Sequence, residues 1–108
     1  MTTRPAAPPD LAGDELWALL NAQTARVAWS ELAPHHRRGA VIQVATDLDL
    51  VAVAVAVVGD DNAAVEAWMH AGQLRPPRAE TVAAWDAAGA RLWAVVTPPW
   101  VLVQETSP

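Results

Sequence analysis

The sequence predicts an α+β domain in which three to four helices pack on a small sheet of about three strands. Several segments have apolar residues at helical spacing and end at a glycine or proline, which is typical of amphipathic helices. Other short runs are rich in valine and lie between turn residues, which is typical of buried strands. The hydrophobic fraction of 53% excludes a disordered chain. We predict a flexible tail over residues 1–10, one domain over residues 11–105 and a frayed end over residues 106–108.

The first predicted helix begins near Asp14 and continues to about Leu32. Asp14 can accept hydrogen bonds from the amides of the first turn, and Pro34 disfavours helical geometry in the residue before it. The helix is apolar on more than one side. We therefore expect it to be covered twice, by its own domain and by a second surface such as another subunit.

Two polar residues, Thr24 and Glu31, lie on an otherwise apolar face of this predicted helix. A carboxylate buried there could act as a general base, so Thr24, Glu31 and Arg38 form a candidate polar pocket for a small molecule or a reaction. The favoured alternative is structural. In it, Glu31 pairs with Arg38 or Arg91, and the Thr24 hydroxyl bonds to a carbonyl one turn back.

The middle of the chain contains one clear strand and one ambiguous segment. Residues 40–45 are rich in β-branched side chains and predict a buried strand. In residues 48–58 valine alternates with alanine, which suits a strand. Apolar residues there also recur at helical spacing, with Asp47 as a possible cap and Gly59 as a possible end. The pattern alone leaves both possibilities open.

The last third predicts two helices and then two strands. One helix covers residues 62–71 after a capping aspartate, and the next begins near Pro77 and ends at Gly89. Residues 91–97 and 100–105 are extended apolar runs. The two prolines between these runs lack an N–H donor and therefore predict a bend.

Six tryptophans supply much of the large apolar volume. We expect Trp68, Trp85 and Trp93 to be buried in the core, together with Met69. Trp29 lies off the main face of the first helix, and Trp100 follows the double proline. With Leu19, these two tryptophans form the candidate interface.

Composition excludes several functions. The chain has no cysteine, which excludes disulfides and thiolate chemistry, and its net charge of −5 argues against general nucleic-acid binding. No apolar leader is visible, and the longest apolar run, residues 50–58, is too short to span a bilayer. We expect a cytoplasmic protein. His35 and His36 are adjacent and do not converge, so we expect no metal, and no cofactor motif is present.

Four segments resemble a small bacterial family known only as a domain of unknown function and found mainly in proteobacteria. They are NAQTARVAWSEL, DLDLVAVAVAVVGDD, VEAWMHAGQL and LWAVVTPPWVLVQE, and together they span most of residues 15–105. Relatives carry a charged residue near Ala52, so the resemblance implies a helix over residues 48–58. At Gln23 many relatives have glutamate, and near His35 and His36 they have aromatic residues. The resemblance implies no activity.

The leading functional hypothesis is a small non-enzymatic domain that acts through protein association, as a homodimer or with another protein. The doubly apolar first helix and the absence of recognisable catalytic spacing support it. The alternative is a small-molecule binder or enzyme that uses Glu31, Thr24 and an arginine. A third hypothesis is an anion contact at Arg37 and Arg38, whose guanidinium groups offer planar sets of donors.

Overall fold

The computed structural model describes residues 13–105, where five helices surround a five-stranded mixed sheet. The α+β class is confirmed, although the sequence analysis predicted too few helices and strands. The predicted tail and the predicted frayed end lie outside the described residues. In chain order the elements are α1 (Gly13–Gln23), β1 (Ala25–Ala28), α2 (Trp29–Arg37), β2 (Val41–Val44), α3 (Leu50–Val58), α4 (Asn62–His70), β3 (Leu74–Arg75), α5 (Ala79–Ala88), β4 (Arg91–Thr97) and β5 (Trp100–Gln104).

The strands lie in the order β1-β4-β5-β2-β3. β5 pairs with β2 in parallel, with Val41 opposite Val101, and all other pairs are antiparallel. β4 and β5 therefore form a central hairpin. On one side of it lies β1, and on the other lie β2 and β3.

Helices cover both faces of the sheet. Since side chains alternate between the faces along each strand, one strand contributes to the apolar contacts on both. In β5, Leu102 packs in one cluster with residues of α1 and α3, whereas Val101 and Val103 pack in another with residues of α2 and α5. Trp29 and Trp85 supply the two largest side chains of the second cluster. The domain thus has two apolar layers, one on each face.

The prediction of one helix from Asp14 to Leu32 is wrong, because β1 interrupts it. The Thr24 amide donates to the Asn21 carbonyl at 3.2 Å, and the next four residues pair with β4. The Trp29 amide then donates to the Ala90 carbonyl at 2.8 Å as α2 begins. Pairing with a distant strand satisfies these backbone groups and overrides the local helical spacing of apolar residues.

The prediction that Pro34 ends the helix is also wrong, since Pro34 lies inside α2. Proline removes one N–H donor, and the carbonyl four residues earlier belongs to Ser30. Ser30 is exposed, so water can satisfy that carbonyl. The helix therefore continues to Arg37.

The later elements agree with the sequence analysis except for β3, which was not predicted. Residues 41–44 form a strand, and the helix that the family resemblance implied over residues 48–58 is α3. Its cap is Asp49 rather than Asp47, since the Asp49 carboxylate accepts from the Val51 and Ala52 amides at 2.9 and 3.3 Å. Gly59 ends α3, and Gly89 ends α5 in the left-handed conformation with φ 58°. No helix among residues 13–105 combines the length and apolarity needed to cross a membrane.

Candidate functional site

The structure does not bring the predicted pocket residues together. Thr24 lies between α1 and β1, and its hydroxyl donates to the Leu20 carbonyl at 2.8 Å. Glu31 is exposed in the first turn of α2, so its expected position on a buried face is wrong. The cavity that Arg38 lines contains neither Thr24 nor Glu31. The break at β1 explains the difference, because it ends the helical register that placed Thr24 and Glu31 on one face.

The predicted positions of the tryptophans are partly wrong. Trp29 was expected at an interface, but it is 2% exposed and packs against Trp85, with ring centroids 4.9 Å apart. Trp85 is in the core as predicted, and Trp68 is partly buried. Trp93 is exposed instead of buried, and the Arg26 guanidinium lies 5.9 Å from its ring centroid. Trp29 is buried and not at the surface because α2 begins at this residue, directly after β1, so the register of a continuous helix does not apply.

Leu19 and Trp100 are exposed, as an interface would require, and their contact with a partner stays a prediction. Trp100 begins β5, directly after the cis peptide bond between Pro98 and Pro99. Trp100 is among the residues that line two recesses, which lie on opposite faces of the sheet. We name them by the helix that contributes to each.

The α4 recess has a volume of about 490 Å³, within the usual range for ligand pockets. Its floor comes from buried or partly buried strand residues, among them Ile42, Leu74 and Leu102. Met69 at its rim is 58% exposed, although the helical pattern predicted that it would be buried. The residues lining the recess are Ile42, Ala56, Val57, Asp60, Asn62, Val65, Met69, Leu74, Arg75, Pro76, Trp100 and Leu102.

The α2 recess has a volume of about 660 Å³ and lies where α2 ends beside the β4–β5 hairpin. The Val101 amide donates to the Ala40 carbonyl at 2.8 Å, which holds the hairpin against the segment after α2. Val96 at its rim is 56% exposed. The residues lining it are His35, Arg38, Gly39, Ala40, Val96, Pro98, Pro99, Trp100 and Val101.

The end of α2 fixes Arg38, which carries the only permanent charge among the described residues that line the α2 recess. Gly39 adopts a φ of 75°, which glycine accepts at little cost, and its amide donates to the His36 carbonyl at 2.9 Å. Arg38 Nη2 lies 2.7 Å from His35 Nδ1, so the imidazole nitrogen accepts from the guanidinium. This contact holds Arg38 beside the apolar hairpin.

We call the two recesses with Val96, Trp100 and Met69 the Trp100 surface. It is mainly apolar, with charged and polar groups at its edges. Within residues 13–105, no three histidine, aspartate or glutamate side chains are close enough to hold a metal ion. This arrangement suits binding of apolar groups. The double proline before Trp100 was the sequence signal for it, whereas no pattern marked Met69 or Val96.

The fold and this surface define a small α+β domain with an exposed, mainly apolar surface. The chain belongs to the family described as "Protein of unknown function (DUF2288)", whose model matches residues 15–105, which confirms the resemblance seen in the sequence. PA1075 from Pseudomonas aeruginosa, solved by NMR in solution, is 41% identical, and the match covers 87% of each chain with a TM-score of 0.75. No curated protein matches this chain.

Proposed function

We propose that this protein is a binding domain that acts by associating with another polypeptide chain through the Trp100 surface. The observation that carries the proposal is the continuity of Trp100, which is 40% exposed, with Val96 through one recess and with Met69 through the other. Soluble monomers rarely expose large contiguous apolar patches, and a patch with a polar rim typically marks an interaction site.

The shape of the surface favours a polypeptide partner. Tryptophan is enriched among the residues that dominate binding energy, especially near the centre of an interface. Trp100 has this central position, since it lies between the two recesses. Two separate recesses can each accept one side chain of a partner segment, which gives the interface its register.

The proposal includes the cytoplasmic location expected from the sequence. A chain without cysteine has no need of the oxidising compartments in which disulfide-bonded proteins fold. It also includes a non-enzymatic role, because the chemistry of the Trp100 surface is apolar contact. Exposed Glu31 removes the basis for the pocket hypothesis.

The experiment is a selection of random dodecapeptides displayed on phage against the immobilised protein, followed by affinity measurements on synthetic copies of the enriched peptides. Trp100→Ala should weaken binding by at least about 30-fold, which corresponds to about 2 kcal/mol at a central tryptophan. Trp17→Ala is the matched control, because Trp17 is also a surface tryptophan, 39% exposed, but lies on α1.

The control variant should bind the peptides as tightly as the unchanged protein. Equal loss in both variants would show that any exposed tryptophan serves, and full binding by Trp100→Ala would place the interaction elsewhere. Either result overturns the proposal. Circular dichroism of both variants verifies that they are folded.

A further inference from the structure

We infer that the partner at the Trp100 surface is a segment of a different protein that carries an acidic residue beside apolar residues. The acidic side chain binds Arg38 in the α2 recess. The segment then passes around the turn of the β4–β5 hairpin, and an apolar side chain enters the α4 recess on the other face. This inference rests on the proposed function and adds the chemistry of the partner.

The α2 recess lies beside a basic cluster at the end of α2. His35, His36 and Arg37 occupy the last turn of α2, and Arg38 follows, in a chain whose net charge is −5. The His36 ring packs against Trp29, with ring centroids 5.6 Å apart. Of this basic cluster, only His35 and Arg38 line the recess. An acidic group that reaches the recess therefore meets Arg38 held in place by His35.

Arg38 still has N–H donors that a partner can use. A guanidinium group has five N–H donors, and Arg38 uses one on His35 Nδ1. Within residues 13–105, no carboxylate makes an ion pair with Arg38, and the recess lining contains no acidic residue. A carboxylate from a partner can accept two of the remaining N–H groups in parallel, which is the preferred geometry of such pairs.

The charge of the α2 recess favours a different protein over a second copy of this chain. In a dimer with twofold symmetry, the same surface is used by both subunits. A twofold contact between the α2 recesses would bring two basic clusters together, and the described residues that line each recess include no carboxylate. An acidic segment of another protein instead brings a carboxylate to Arg38.

The hairpin side of the α2 recess favours a partner that also carries apolar residues. On the hairpin side, the α2 recess is lined by Trp100 and by four residues whose side chains offer no hydrogen bonds, namely Val96, Pro98, Pro99 and Val101. A free inorganic anion would leave that side uncovered. A peptide with an apolar residue next to its acidic residue covers the hairpin and pairs with Arg38 together.

The test uses the same dodecapeptide library with three proteins: the unchanged chain, Arg38→Glu and Trp100→Ala. We expect the unchanged chain to select peptides with an aspartate or glutamate at a fixed spacing from apolar residues. Arg38→Glu should select lysine or arginine at that position instead. For a synthetic acidic peptide, Arg38→Gln should weaken binding about fivefold at low salt, as expected for a rim ion pair.

Arg37→Gln is the matched control, because Arg37 neighbours Arg38 but does not line the recess. It should change the affinity much less than Arg38→Gln. The difference between the two variants should shrink at high salt, since mobile ions screen exposed charges. Both arginines are exposed, so neither variant should lose the fold.

The outcomes separate this inference from the proposed function. Peptides that need Trp100 but show no acidic preference, with Arg38→Gln binding them normally, overturn the inference and leave the proposed function standing. Peptides that ignore Trp100, or no enrichment at all, overturn both. A dimer seen by sedimentation that Trp100→Ala abolishes makes a second copy the occupant and also overturns the inference.

Discussion

Two neighbouring indoles in the core differ in one property, and this difference predicts opposite consequences of the same substitution. Trp85 Nε1 donates to Glu105 Oε2 at 3.0 Å, whereas buried Trp29 Nε1 has no acceptor among the described residues. Both side chains are buried and lie in one cluster. Replacing each by phenylalanine therefore changes packing similarly but changes hydrogen bonding differently.

The expected free energies follow from this difference. Each Trp→Phe change removes roughly 40 Å³ of side chain, and at about 24 cal/mol per Å³ of cavity this costs about 1 kcal/mol. Trp29→Phe also removes a buried unpaired donor, which returns about 1 to 3 kcal/mol. Trp85→Phe instead loses a hydrogen bond to a carboxylate. We discount that bond to about 1 kcal/mol because Glu105 is exposed and regains water.

Trp29→Phe should thus leave the free energy of unfolding unchanged or raise it by up to about 2 kcal/mol, while Trp85→Phe lowers it by about 2 kcal/mol. Urea unfolding followed by circular dichroism measures both values. The thermal midpoints should differ by at least about 10 °C in a domain of this size. A double-mutant cycle with Glu105→Ala should give a coupling energy of about 1 kcal/mol for the Trp85 bond.

The result that would refute this reasoning is a loss of stability in Trp29→Phe that equals or exceeds the loss in Trp85→Phe. It would mean that the Trp29 N–H has an acceptor in solution. An unchanged m-value in both variants is the control, since it shows that the unfolded states are comparable.

Three further changes test local features by urea unfolding. Asp49→Ala should lower the free energy of unfolding by about 1 kcal/mol through loss of the α3 cap. Asp47→Ala removes only an exposed bond to a glutamine side chain and should lower it less; the reverse order would contradict our assignment of the cap. Gly89→Ala should lower the free energy of unfolding by about 1 kcal/mol, because the φ of Gly89 is 58°. Gly13→Ala, in open space at the start of α1, should leave it unchanged, and equal effects would argue against the left-handed cap. Gln104→Ala should cost about 2 kcal/mol, since its Nε2 donates to two backbone carbonyls at 2.8 Å, and a loss below about 0.5 kcal/mol would mean that those bonds contribute little.

The parts of the fold that could be predicted are those with local signals. α3 lies between Asp49 and Gly59, and α4 begins after Asp61, whose side chain accepts from the Ala64 amide at 3.2 Å. Capping and left-handed glycines act within a few residues, so they are visible in sequence. The Pro98 and Pro99 pair likewise marked the hairpin turn.

The parts that could not be predicted depend on distant partners. Ala25–Ala28 pairs with β4 some 65 positions later in the chain, and the Arg91 side chain adds a bond from Nη2 to the Arg26 carbonyl. Four residues are too few for a strand period to be distinguished from a helical one. The error placed Glu31 in a pocket and Trp29 on the surface. Trp100 was placed correctly because its exposure follows from a local turn.

The central position of β5 has a consequence for the order in which the sheet can be completed during synthesis. β1 is connected to the rest of the sheet only through β4, and β2 with β3 only through β5. β5 follows all the other described strands in the chain. Before it leaves the ribosome, β2 and β3 can form at most an isolated ribbon, which is marginally stable in water. The last of the described strands to emerge is therefore the one that joins two separate ribbons into one sheet.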